Sequence, residues 1–423
     1  PTKEMLDEVA PNNPIVLRDI SGHSSWVNSA ALKAAKITAA TPNPPAGVIE
    51  RDSKGEPIGI MRETASTMMR DMVPPPSIDE TAQAILYALT TLRNMGVRSV
   101  VDAGVDETAA KAYLQLSRQG RLPTNVRGCV VYGRAWGKNG VFDKLLANRA
   151  SYKRADLALD CVKIYVDGVP TESHTAAMLE PYADVHGDTP SKAGDRGLLM
   201  LEPKLLNELV TRFDKMGMVV KFHAVGDQAT RASLDAIEAA RKANGPNGPT
   251  HDVGHLTFIT LQDLGRAKAL RATLEYSPYL WTPTLINEDI AKAVGPQRIE
   301  RIWPVRDGVA SGALVVAGSD WPSGTPSNNP WVGIETLLTR QRPGGSEESF
   351  GPKEAITLKQ AVDIFTINAA RQMGELTKRG SIEAGKIADV IVLDRNPFNI
   401  PVTTIHDVKV TQFIIDGKPV TVN

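Results

Sequence analysis

Apolar runs and amphipathic stretches alternate along most of this chain. From about Thr81 onward, strand-like segments fall at 97–102, 126–132, 161–166, 219–223, 252–255, 272–276 and 315–320. Helical periodicity fills several of the intervals, at Glu107–Arg118, Pro203–Lys215, Asp227–Asn244 and 260–270, with Asp227 placed to cap its helix. Short apolar runs separated by helices imply parallel strands joined by crossovers. The count is seven strands, one short of a closed eight-stranded barrel.

The flanks have another character. Residues 14–72 carry strand-like 15–17 and 48–50, a turn-rich 41–45 and Gly55 and Gly59, with Pro74, Pro75 and Pro76 marking the exit. Residues 1–76 therefore read as an inserted segment over the barrel face, and 77–375 as the barrel. Within it, 322–352 is a Gly/Pro/Ser/Asn-rich loop region holding a short helix at 331–340, and 357–374 is a capped helix. The tail, 376–423, reads as a small β module: strand-and-turn segments at 385–394 and 408–422, with Asp416-Gly417 as a hairpin turn.

Composition narrows the partners. Hydrophobic residues make up 42% and charged residues 23%, as in ordinary globular proteins. Lys plus Arg equals Asp plus Glu, 48 each, so no global field attracts nucleic acid or an anionic membrane. No apolar stretch approaches the roughly 20 residues of a membrane helix. Cys129 and Cys161 lie in apolar runs, read as small core residues, and define no redox compartment. The chain opens without Met inside a helix-like stretch and carries no signal peptide, so its start reads as processed, truncated or incompletely recorded. Localisation stays open, with the cytoplasm slightly favoured.

The candidate chemistry lies at the strand ends. His223, His255 and Asp320 each terminate an apolar run, and Lys163 lies within another, followed by Asp167-Gly168. Polar residues ending several strands suit a barrel mouth better than the single crevice of a doubly wound sheet. Imidazole and carboxylate suit zinc or a similar cation. An ammonium cannot coordinate, so Lys163 joins such a site only as a carbamate formed with carbon dioxide. Each residue alone has a plainer reading: a hydrogen-bonding His, a snorkelling Lys, a turn Asp. Their order on successive strands favours a metal site with Asp320 as general base for a metal-activated water.

These residues resemble the amidohydrolase superfamily, specifically the amidohydrolase-3 group of metal-dependent hydrolases that includes N-substituted formamide deformylase. The likeness rests on Gly22-His23 through Asn28 to Leu32, Gly59 to Glu63, Val162 to Gly168, Phe222 to Asp227, Gly254 to Leu256, Gly318 to Pro322, and Gly380 to Asp394. It implies a distorted TIM (β/α)8 barrel beside a β-sandwich, one or two divalent metals, usually Zn2+, and a small-molecule amide substrate. A homodimer is a further family-level expectation. By this resemblance Lys163 is the carboxylated lysine, His223 and His255 are ligands, and Asp320 is both ligand and base. The family also takes two ligands from an H-x-H motif on its first strand. None of the seven histidines here forms one, so the motif and the missing strand would both lie upstream.

The expected activity is hydrolysis of a non-peptide amide, formamide or cyclic amide. A lactone or ester hydrolase using the same site is one alternative; a non-catalytic ligand- or partner-binding barrel with an incomplete metal site is another. Around the core set, His23 and Asn28 are candidates for contact with substrate, as is His174, where relatives often carry Arg. Trp321 and Trp281 are candidate pocket walls, and Asp167 a group that orients Lys163. His186, His251 and His406 read as surface residues, and Lys353-Glu354 as solvated helix surface.

Overall fold

An antiparallel sheet comes first in the chain, built from β1 (Val16–Arg18), β2 (Ser24–Val27), β3 (Gly47–Arg51) and β4 (Pro57–Glu63), in spatial order β1-β2-β4-β3. Alternate residues of β4 are buried, the pattern of a strand with one face on a core. That core is small and its own: Val27, Leu32, Ile49, Met61 and Met69. The computed structural model describes residues 1–133, 140–171, 173–183, 194–325 and 327–422.

The seven predicted strands are β5 (Ser99–Val105), β6 (Asn125–Val131), β7 (Leu157–Tyr165), β8 (Val219–Ala224), β9 (Asp252–His255), β10 (Thr273–Tyr276) and β11 (Leu314–Ala317). They form one parallel sheet in sequence order, with β5 and β11 at its two edges. Register aligns Lys163 with Lys221, Tyr165 with His223, and His223 with Gly254. Strand β8 is buried at all six positions. Alternation along it puts Val220 and Phe222 on one face and Lys221 and His223 on the other. The helices Glu107–Arg118, Pro203–Lys215 and Asp227–Asn244 have the bounds predicted for them. The tail folds as an antiparallel sheet of β12 (Val390–Leu393), β13 (Val410–Ile415) and β14 (Lys418–Val420), and its turn residues Asp416 and Gly417 both have positive φ.

Several expectations change. Cys129 and Cys161 are not separate core residues but a disulfide, because β6 and β7 pair them directly across the sheet. Gly226, not Asp227, is the N-cap of its helix; Asp227 instead accepts a hydrogen bond from Leu179 N at 2.7 Å. The capped helix expected at 357–374 is broken at Thr366 into Leu358–Phe365 and Ile367–Gln372. Glu354 is buried rather than solvated, and its carboxylate accepts hydrogen bonds from Arg306 N and Asp307 N at the start of a helix. Among the described residues no helix is long and apolar enough to cross a membrane.

Candidate functional site

The C-terminal ends of β7, β8 and β9 open into a cavity of about 1200 Å³. Lys163, His223, His255 and Asp320 all line it, as do His23, Tyr165 and Trp321. The same cavity extends past both edge strands, through Val100 and Val316, to Phe413 of the C-terminal sheet.

His223 and His255 come from neighbouring strands, and their ring centres are 4.7 Å apart. His223 Nε2 donates to the Gly168 carbonyl at 3.0 Å, which fixes its tautomer and leaves Nδ1 with a lone pair. His255 Nδ1 contacts Ser277 Oγ at 3.3 Å and lies 3.9 Å from Asp320 Oδ2. Burial, then the charges of the neighbouring histidines and lysines, holds both rings well below the usual histidine range. Both are therefore neutral near pH 7, the form that binds metals.

Asp320 lies three residues beyond the end of β11 rather than on it, at a φ of +55°. A non-glycine residue in that region costs on the order of 1 kcal/mol or more, and such strain gathers at functional sites. Its side chain keeps 36% of its exposure at the cavity, and the surrounding protein still raises its carboxyl to about 6 against the opposing pull of Lys163. Lys163 is almost fully buried, with its Nζ 5.0 Å from the centre of the Tyr165 ring. Burial, followed by the positive charge of Lys221, lowers its amine to about 8.

Beneath these groups runs a buried network that sequence reasoning missed. Lys221 donates to Glu275, and Gln372 Nε2 donates to Asp252. Lys221 is two residues before His223 on the same strand, so alternation alone could have placed it facing inward. Glu63 was also missed, although it closes the G-I-M-R-E stretch; its carboxylate meets His23 Nδ1 at 2.9 Å.

The remaining candidates divide. Asp167 is fully buried and accepts hydrogen bonds from Ala177 N, Val225 N and Gly226 N; its nearest ionisable contact is His223 Nε2 at 3.8 Å, not Lys163. Burial nonetheless pushes its carboxyl up to about 8. His174 contacts Asp195 at 3.1 Å and stacks on Tyr182. Asn28 holds residues 10–31 together: its side chain accepts from Ile15 N and Ala31 N and donates to Ala10 O and Asn13 O, away from the cavity. Trp281 is fully buried between Tyr276, Trp303 and Arg340, a packing role. His251 is fully buried rather than exposed, bonded to Asp214 and Val220 N. His406 is partly buried against Glu335 at 2.7 Å, and His186 lies outside the described residues.

Among the described residues no three His, Cys, Asp or Glu side chains are grouped so as to hold a metal unaided. The donor chemistry nevertheless fits one: two neutral imidazoles, each tied by one nitrogen to the protein, and a carboxylate beside them. Lys163 is the remaining group at the same cavity wall.

Known proteins resemble this chain. The chain is 28% identical to N-substituted formamide deformylase of Arthrobacter pascens, over 99% of this chain and 75% of that protein. It is 28% identical to protein LONG AFTER FAR-RED 3 of Arabidopsis thaliana, over 94% of this chain and 67% of that protein. Among solved structures, a metal-dependent hydrolase from Pyrococcus horikoshii superposes with a TM-score of 0.72 at 24% identity, covering 95% of this chain and 75% of the other. With residues 1–421 matching its pattern, the chain belongs to the amidohydrolase family.

Proposed function

We propose that this protein is a metal-dependent hydrolase that cleaves the C–N bond of a small non-peptide amide, formamide or cyclic amide. The observation that carries the reading is that Lys163 of β7, His223 of β8, His255 of β9 and Asp320 of the loop after β11 line one cavity. Similarity to an N-substituted formamide deformylase supports the substrate class.

One or two divalent ions, zinc being the expected metal, would be held by His223, His255, Asp320 and a carboxylated Lys163, polarising the substrate carbonyl and acidifying a bound water. The residues do the rest. Lys163, with its amine lowered to about 8, keeps a minor neutral fraction near pH 7 that can attack carbon dioxide; the N–C bond forms and one proton leaves. Asp320 accepts the proton of the attacking water. As the new C–O bond forms and the C–N bond breaks, a proton must reach the departing nitrogen. Trp321 is proposed to face the variable part of the substrate, and Asp167 to hold the turn after β8 that places His223.

Turnover of N-formyl and N-acyl amines, with parallel esters and lactones, tests this. Hydrolysis of amides that stops with a chelator and returns with added divalent ion is expected. Chelator-insensitive turnover overturns the metal-dependent reading, and a preference for esters and lactones alone overturns the amide reading. The lack of a three-ligand cluster among the described residues favours a second reading, a ligand-binding barrel with an incomplete site. Elemental analysis decides between them: well under one metal per chain supports the binder.

A further inference from the structure

His23 and Glu63 form a buried pair at the wall of the cavity, contributed by the antiparallel sheet rather than by the barrel. They are joined twice. His23 Nδ1 meets both carboxylate oxygens of Glu63, at 2.9 and 3.1 Å, and Glu63 N donates to His23 O at 2.8 Å. Both residues are less than a tenth exposed. Glu63 Oε1 also accepts from the Thr175 hydroxyl at 2.8 Å, which anchors the pair to the barrel. Gly168 makes room for this: a Cβ there would stand 2.2 Å from Glu63 Oε1 and 2.2 Å from Thr175 Oγ1. The carbonyl of that same glycine orients His223, whose ring centre is 4.9 Å from that of His23.

With Nδ1 committed to the carboxylate, Nε2 is the ring nitrogen left to meet a ligand, and His23 lines the cavity. A carboxylate on one imidazole nitrogen orients the ring and fixes its tautomer, so that the other nitrogen can pass a proton to a reacting group. Resting on the hydrolase reading above, we propose that His23 is the catalytic residue that delivers the proton to the departing nitrogen, and that Glu63 is its positioning residue. The labour at the site is then divided. Asp320 takes the proton from water as the C–O bond forms. His23 Nε2 receives that proton from Asp320 and passes it to the nitrogen as the C–N bond breaks; the products are an acid and a free amine.

The test compares His23→Gln, Glu63→Gln and Asp320→Asn on two substrate sets that share the acyl group, one with poor-leaving alkylamines and one with activated nitroanilides. A proton donor to the leaving group matters most where the leaving group is poor. Both His23→Gln and Glu63→Gln should lower kcat on alkylamides on the order of 10²-fold with KM little changed, and leave nitroanilide turnover within about threefold. Retained nitroanilide turnover also shows that the variants are folded. Asp320→Asn should fail on both sets. Equal losses on both sets in His23→Gln, or full alkylamide activity in Glu63→Gln, overturn the proposal while leaving the hydrolase standing. A wild-type protein that cleaves neither set removes both readings together.

Discussion

Replacing Lys221 with methionine removes a cation from a buried, charged floor beneath the site. Lys221 and Asp252 are each at most 5% exposed, and Lys221 bonds Glu275 directly. Burial pushes Asp252 up to about 6, and the Lys221 charge is the leading force holding it down. Burial also opposes the Lys221 ammonium, yet Glu275 and Asp252 outweigh that and raise its pKa. Breaking such a pair from one side costs about 3–5 kcal/mol, because a buried charge is left without its partner. Unfolding entropy of about 2.1 cal/mol/K per residue gives ~0.9 kcal/mol/K over 423 residues, so Tm should fall by ~3–6 °C at pH 8. The pH dependence has a definite sign. Without Lys221, Asp252 holds its proton in the folded state to a higher pH than in the unfolded chain. Folding then takes up protons, and the deficit relative to wild type should shrink between pH 8 and pH 5.5. Differential scanning calorimetry at both pH values measures it. A Tm loss under about 1 °C, or a loss equal at both pH values, would refute the reasoning.

Other outcomes follow from the same structure. Asp320→Asn should reduce turnover at least on the order of 10²-fold, which kcat reports. Burial holds His251 below the usual histidine range, so the unfolded chain binds the extra proton first and stability should decline as pH falls through about 6.5; urea midpoints from pH 7.5 to 5.5 should fall less steeply in His251→Gln. Thiol titration of the unfolded, unreduced protein should find no free cysteine, and the double change Cys129→Ala with Cys161→Ala should cost about 3–4 kcal/mol on the chain-entropy account for a 32-residue separation. A stoichiometric thiol titre contradicts the cross-link.

Much of the fold was legible in the chain because its signals are local. The helices Pro203–Lys215 and Asp227–Asn244 announce themselves by apolar spacing within a few turns, and the seven parallel strands by short apolar runs between helices. His223, His255, Asp320 and Lys163 could be singled out as polar residues interrupting or ending those runs. What tertiary structure decided is who meets whom. Cys129 joins Cys161 only because β6 and β7 pair in a particular register. His251 looked like a loop residue because its partner Asp214 stands 37 positions away, and a polar side chain reads as exposed until its buried partner is known. Glu63, at the end of β4, is 40 positions from His23, which immediately precedes β2, in a sheet whose order is not its chain order. Periodicity records which face a residue takes, since that depends on near neighbours. Pairing across the core depends on strand order, register and close approaches such as that at Gly168, which only the assembled chain determines.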